Sequence, residues 1–248
     1  MFKAELEDIK PFKDSLQAIS NLITEGQFQI DEEGLKLKAA DPAMVSLVDF
    51  KLLKDSFSSF EIDEKTQIGL NLEKMYSILR RAKSSDKLEF SLSDESKFVM
   101  KITNGSTRTF SLPVLNIDEE APETSQLDFN VTADFKSSTI SRGIGDVAII
   151  GESVTIEADS DSITLKAEGD NTDAEFNIEK GSDGLMDIES DGKAKSMFSM
   201  DYLKKMIKAE KLSDTVKMSL GNDFPMRLDF EIPDKLKLGF ILAPRIEE

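Results

Sequence analysis

The sequence predicts an α+β chain of two similar domains, each an antiparallel sheet carrying two helices. Three observations lead there. Most of the chain alternates apolar and polar residues between short turn signals, the period of strands with one buried face. Four short amphipathic segments interrupt that alternation. The same strand–helix–strand order then occurs twice at a fixed spacing.

The clearest strands are Gln27-Phe28-Gln29-Ile30, Leu35-Lys36-Leu37-Lys38, Leu88-Glu89-Phe90-Ser91-Leu92 and Val154-Thr155-Ile156-Glu157. Ile163-Thr164-Leu165-Lys166, Ala174-Glu175-Phe176-Asn177-Ile178 and Val216-Lys217-Met218-Ser219-Leu220 have the same pattern. Turn signals stand between strands at Glu33-Gly34, Asn104-Gly105, Asp183-Gly184, Asp191-Gly192 and Gly221-Asn222-Asp223.

Helices are expected over 9–23, 73–83, 133–146 and 201–211. Phe12, Leu16, Ile19 and Ile23 form the apolar stripe of the first; Met75, Ile78, Leu79 and Ala82 that of the second. The third has Ile140, Ile144 and Val147, with Gly143 and Gly145 lowering its propensity. The fourth has Leu203, Met206 and Ile207. Asp14, Glu73, Asp134 and Asp201 are read as residues near helix starts, where they favour the dipole.

Residues 68–95 align without gaps on 196–223, matching Leu70 with Phe198, Met75 with Leu203 and Ser85-Asp86 with Ser213-Asp214. Leu35-Lys36-Leu37-Lys38-Ala39 echoes Ile163-Thr164-Leu165-Lys166-Ala167. Asp118-Glu119-Glu120-Ala121-Pro122-Glu123-Thr124-Ser125-Gln126 lacks periodicity and reads as a linker. The expected domains are therefore 1–117 and 127–248, joined by 118–126.

Composition narrows the chemistry. No Cys means no disulfide, thiol nucleophile or thiolate metal site, and no His removes the commonest general base and most zinc sites. Neither a cofactor nor a metal is called for, and no catalytic residue is nominated. A carboxylate hydrolase or Mg²⁺ nuclease would cluster its acids, whereas the 48 acids here are spread along strands and turns. Asp159-Ser160-Asp161-Ser162 and Asp183-Gly184 fit turns better than a Ca²⁺ loop. A β-rich binding or adhesion module leaves the basic helices unexplained. With no signal-like N-terminus and no long apolar run, no membrane segment is expected.

Charge is sorted along the chain. The formal net charge is −17, yet the four helical segments hold twelve of the 31 Lys/Arg and only six of the 48 Asp/Glu. A chain this acidic repels DNA as a whole, but a shared helical face would attract phosphate locally.

Four stretches carry a family resemblance: Asp41-Pro42-Ala43-Met44-Val45-Ser46-Leu47-Val48, Ser77-Ile78-Leu79-Arg80-Arg81-Ala82, Thr107-Arg108-Thr109-Phe110 and the C-terminal Leu242-Ala243-Pro244-Arg245-Ile246-Glu247-Glu248. With two helix-bearing domains, the whole chain resembles the sliding clamp of archaea and eukaryotes, proliferating cell nuclear antigen. The resemblance implies the DNA clamp fold. It also implies three subunits forming a closed ring whose helices would line a hole threaded by double-stranded DNA, without sequence preference and without a catalytic site. The ring would act as a processivity factor for DNA polymerase in replication and repair, with a clamp loader, flap endonuclease and ligase as further partners. The compartment is cytoplasmic and nucleoid-associated in an archaeon, nuclear in a eukaryote.

The resemblance also assigns residues. Lys10, Lys13, Lys74, Arg80, Arg81, Lys83, Lys136, Arg142, Lys204, Lys205, Lys208 and Lys211 would face DNA. Met44, Val45, Leu47, Ala121, Pro122, Pro225, Ile241, Ala243 and Pro244 would form the pocket for client peptides, and the tail after Pro244 would pair with them by backbone. Arg108, Phe110, Leu112, Phe176 and Ile178 would lie at the subunit interface, on strands near Thr107–Leu112 and Asp173–Glu179. Some archaeal relatives put acids on the helix after the linker to meet basic groups across this interface, and Arg81, Lys83 and Arg108 keep the basic side here. Here that helix reads Lys136, Ser137, Ser138, Thr139, Ser141, Arg142. Closure is therefore weaker or relies on apolar contacts, or the chain partners a different paralogue; a homotrimer is the expectation. The alternatives are a damage-response clamp or one subunit of a heterotrimer.

Overall fold

The computed structural model describes residues 2–93, 97–117 and 127–246. The predicted linker, with Ala121 and Pro122, and the tail residues Glu247 and Glu248 lie outside the described residues. The chain divides into two compact units: Met1–Pro42, Val48–Ala121 and Ile232–Leu238, then Ala43–Leu47, Pro122–Glu231 and Gly239–Glu248.

In order, the first half contains β1 (Phe2–Leu6), α1 (Lys10–Ile19), β2 (Glu25–Asp31), β3 (Gly34–Ala40), β4 (Ser46–Leu53), β5 (Ser59–Ile62), β6 (Thr66–Asn71), α2 (Leu72–Leu79), β7 (Lys87–Ser93), β8 (Lys97–Asn104) and β9 (Ser106–Pro113). The second contains β10 (Val131–Lys136), α3 (Ser137–Val147), β11 (Ser153–Ala158), β12 (Ser162–Gly169), β13 (Thr172–Glu179), β14 (Leu185–Ser190), β15 (Ala194–Ser199), α4 (Met200–Met206), β16 (Thr215–Leu220), β17 (Met226–Ile232) and β18 (Leu236–Leu242). The architecture is α+β, two antiparallel-sheet domains with two helices each.

Strand order shows the repeat directly. The first set runs β5-β1-β7-β8-β9 and β4-β3-β2-β6; the second runs β14-β10-β16-β17-β18 and β13-β12-β11-β15. Each strand of one set has its counterpart nine strands later in the other. The offset seen between 68–95 and 196–223 is thus β6–α2–β7 against β15–α4–β16.

Strand alternation puts one face of each sheet under the helices. In the first unit Phe12 of α1 packs edge-on against Phe90 of β7 at 5.3 Å and lies 6.2 Å from Phe50 of β4. In the second, Ile140, Ile144, Leu203 and Met206 turn their helices onto the sheet and are fully buried. Pro11 opens α1, where its missing N–H costs nothing. Asn71 caps α2, its side chain accepting from the Lys74 N–H at 2.8 Å.

Several expected boundaries move. The first helix stops at Ile19, so Ile23 is buried but not helical. Asp14 is therefore mid-helix, 3.4 Å from Lys10 one turn back, and not at the start. The third helix begins at Ser137, because Val131–Lys136 alternates as a buried strand. Asp134 consequently stands in β10, 4.0 Å from Lys217, and has no dipole role. The fourth helix is α-helical only to Met206 and tightens into a 3₁₀ turn over Ile207–Lys211.

Phe12→Ala removes the ring that joins α1 to two strands, and should lower stability by about 3–5 kcal/mol in denaturant unfolding.

Candidate functional site

The basic residues differ in exposure and in how the fold holds them, and α2 ends at Leu79 rather than at the expected residue 83, so Arg80, Arg81 and Lys83 follow the helix. In the first unit Lys10, Lys74, Arg80, Arg81 and Lys83 are exposed. Lys13 is half-buried and donates to the Ala82 carbonyl at 2.7 Å, tying α1 to the end of α2. In the second unit Lys204, Lys208 and Lys211 are exposed, opposite the buried Leu203, Met206 and Ile207. Lys205 bends back to Asp201 at 2.7 Å and over the Tyr202 ring at 5.3 Å. Lys136 ends β10 and pairs with Asp183 at 2.6 Å. Arg142 lies over the Phe176 ring, 5.8 Å from its centroid. Lys136 and Arg142 thus sit at the β13 side of α3.

Phe176 reaches α3 because residue 143 is glycine: a Cβ there would stand 2.6 Å from the ring. Beside this contact lies a groove of about 430 Å³ lined by Thr139, Arg142, Phe176, Ile178, Glu179 and Asp183, among others. β13 ends the β13-β12-β11-β15 sheet of the second unit, and β9 ends the β5-β1-β7-β8-β9 sheet of the first. The two strands share one burial pattern, residue for residue: Phe110 and Phe176 are half-buried, Leu112 and Ile178 buried, and their odd-numbered neighbours exposed. Of the other four sheet ends, β5 and β14 are shorter, at four and six residues, and the remaining two are covered. Leu115 bridges to Gly69 of β6, and Arg245 bridges to Met197 of β15.

Arg108 of β9 has a partner inside its own unit. Its guanidinium donates to Asp86, which is buried and also accepts from Asn104 at 2.9 Å and from the Lys83 N–H at 3.2 Å. The Asn104 bond first, then those from Lys83 and Arg108, hold the Asp86 carboxyl below its ordinary range against the opposing effect of burial.

The apolar residues nominated as a peptide pocket fall in the second unit, apart from the two outside the described residues. Met44 is 64% exposed and takes a left-handed backbone, φ 57°. Val45 is half-buried and its carbonyl accepts from the Ala243 N–H at 2.9 Å; Leu47 and Ile241 are buried beneath. Pro225, Ala243 and Pro244 are half-buried, and Ile246 is 89% exposed. The buried Ser196 hydroxyl accepts from the Phe224 N–H at 3.0 Å and donates to Gly221 O, which holds the turn before Pro225. Phe224 meets Phe129 edge-on at 5.9 Å.

Family models match both halves of the chain. That for the proliferating cell nuclear antigen N-terminal domain matches residues 1–123, and that for its C-terminal domain matches residues 123–245. The chain belongs to the proliferating cell nuclear antigen family, in its archaeal type. It is 33% identical to the DNA polymerase sliding clamp of Thermococcus gammatolerans over 247 residues, spanning 100% of this chain and 99% of that one. It is 32% identical to DNA polymerase sliding clamp 1 of Thermococcus kodakarensis and 31% identical to the sliding clamp of Pyrococcus horikoshii, over the same spans. A crystal structure of proliferating cell nuclear antigen from Thermococcus kodakaraensis superposes with a TM-score of 0.93 at 25% identity, covering 99% of this chain and 100% of that one.

Within this family member, sequence reasoning missed Ser196, Phe129, Phe224, Ile246 and the Asp86 cluster. Asp86 carried a signal, the Ser-Asp boundary shared with Ser213-Asp214. Yet Asp214 is exposed, and the strand registers put Ile232 and Leu238, neither able to bond it through a side chain, at the places of Asn104 and Arg108. Asp159 accepts from the N–H groups of Asp161 and Ser162 at 3.0 and 3.1 Å, the turn expected there. Among the described residues no cluster of His, Cys, Asp or Glu is placed to hold a metal ion, and no helix is long and apolar enough to cross a membrane.

A carboxyl whose folded pKa is depressed stabilises the fold above its unfolded pKa and loses that contribution as pH falls through the folded value. Asp86→Asn should therefore lower stability near pH 7 by about 1–3 kcal/mol. The gap to the parent should close as pH drops below about 3.9 in urea unfolding series.

Proposed function

We propose that three copies of this chain close a ring around duplex DNA and slide along it, tethering DNA polymerase and other replication enzymes. The observation that supports this reading is a pair of long terminal strands that have no bridge on their outer edge among the described residues. β9 and β13 are each eight residues long and share one burial pattern, and one chain offers one of each. Exposed edges of that length invite pairing with another chain. A head-to-tail joint between unlike surfaces makes either a closed ring or an open filament. Family membership favours the ring of three. Phe110, Leu112, Phe176 and Ile178 would pack at the joint, with Arg108 beside them. The domains of each subunit would be 1–117 and 127–248, joined by 118–126.

DNA would be held without being read. Phosphate contacts fix position but carry no sequence information, and many exchangeable lysines let the ring move. Lys10, Lys74, Arg80, Arg81, Lys83, Arg142, Lys204, Lys208 and Lys211 would supply them. Lys13, Lys136 and Lys205, less exposed or bonded within the fold at 2.7, 2.6 and 2.7 Å, would contribute field more than direct contact. Clients such as the polymerase, clamp loader, flap endonuclease and ligase would dock a short peptide on Met44, Val45, Leu47, Pro225, Ile241, Ala243 and Pro244, with Ala121 and Pro122 assigned by sequence position. Arg245 N–H already bonds Met197 O at 2.7 Å, so an incoming strand would use the tail's other edge. The ring itself performs no chemistry; its compartment is the cytoplasm, on DNA.

The reading is tested by retention after loading on a circular duplex. The complex should persist on circles and be lost when the DNA is cut. Lys204→Glu with Lys208→Glu should shorten retention and reduce the slope of log affinity against log salt by about two. Equal retention on linear and circular DNA would refute the encircling ring.

A further inference from the structure

The outer faces of the sheets carry a row of alternating charge that stops at β13. Lys195 of β15 lies 3.1 Å from Glu157 of β11, Lys166 of β12 lies 2.7 Å from Glu157, and Glu175 of β13 lies 3.9 Å from Lys166. The first unit has a shorter row: Glu89 of β7 and Lys101 of β8 are 3.1 Å apart, and Lys101 stands opposite Thr109 of β9. The outward residues of β13 are Asp173, Glu175, Asn177 and Glu179. Those of β9 are Thr107, Thr109, Ser111 and Pro113, with Lys101 and Lys97 opposite them one strand behind. One edge is acidic; the other is short and uncharged, with lysines at its back.

The internal repeat supplies a register for joining them. Within the first unit the Leu53 N–H donates to Lys235 O at 2.8 Å, so the end of β4 runs antiparallel to the start of β18. Within the second unit the Ala243 N–H donates to Val45 O, which fits the same register. β9 is the counterpart of β18: Leu112-Pro113-Val114-Leu115 corresponds to Leu242-Ala243-Pro244-Arg245, and Leu115 and Arg245 make corresponding bridges. β13 is the counterpart of β4, Ala174-Glu175-Phe176-Asn177-Ile178 against Val48-Asp49-Phe50-Lys51-Leu52. Carried over, that register sets Glu179 opposite Gly105, and Glu175 opposite Thr109, of a second copy.

We propose that an ion row crossing the outer face of the joint sets the register between subunits, with Glu175 of one copy reaching over Thr109 to Lys101 of the next. The inference rests on the ring reading. It joins Lys166, Glu175, Lys101 and Glu89 in one alternating run across the joint, which ends where Glu89 meets Glu5 of β1. Glu175 and Lys101 would be two strand spacings apart, about 10 Å between backbones, a gap their extended side chains span. The small Thr109 leaves the path open. The row also answers the missing acids on α3, because the acidic side of the joint moves from the helix to the strand. Exposed pairs contribute little driving force, so the row selects register, and apolar contacts on the inner face supply adhesion.

The test is a charge swap read by assembly mass across a dilution series at low salt, with circular dichroism to confirm folding. Lys101→Glu and Glu175→Lys should each weaken assembly roughly tenfold or more, since all joints of the ring share the change. The double swap should return to within about threefold of the parent. High salt should erase the differences. Should Lys101→Glu fail to fold, Lys101→Met serves: it should weaken assembly less, and Glu175→Lys should not rescue it. Singles without effect, or a double swap no better than either single, would overturn the ion row and leave the ring standing. A parent chain that never assembles would overturn the ring reading itself.

Discussion

A strand at the end of a sheet leaves a line of N–H and C=O groups that must find water or another chain. That constraint organises this molecule. Two sheet ends are covered from within, β6 by Leu115 and β15 by Arg245. β9 and β13 have no such cover among the described residues, and both present half-buried phenylalanines beside a buried aliphatic. The two strands hold counterpart places to β18 and β4. What the chain does once with its own strands, three chains can do with each other's.

Charge follows the same division of surfaces. Net charge of −17 keeps the exterior acidic, while basic side chains collect on the helices. The fold then uses some of those cations itself. Lys13 holds the end of α2, Lys136 holds Asp183, and Arg108 holds the buried Asp86. On the outer faces lysines meet acids across several strands, as at Lys166 and Glu157 or Lys101 and Glu89, although like charges also face each other at Glu5 and Glu89 and at Glu168 and Asp173. The exposed remainder on the helices suits weak, interchangeable phosphate contacts, and a strong fixed site would instead impede sliding.

Much of this was legible in the sequence, for identifiable reasons. Strands with one solvated face, such as Ala174–Ile178 and Val216–Leu220, announce themselves by alternation. Strands without a clean alternation do not: β18 runs Leu-Lys-Leu-Gly-Phe-Ile-Leu, buried at six of its seven positions. β10 was hidden differently, since its buried alternation runs straight into α3 and both fit one apolar count. Gly143 looked like a weakness of the helix, whereas it is the space Phe176 occupies. Arg108 is assigned to the subunit joint by resemblance alone, and its bond to Asp86 depends on a tertiary contact that no spacing reveals.

The account stands on closure by β9 and β13, so solution mass tests it most directly. Light scattering of the unaltered chain, over a dilution series at low and high salt, should find a species about three times 27.6 kDa. A monomer at every concentration, or masses that grow without limit as an open filament would, contradicts it.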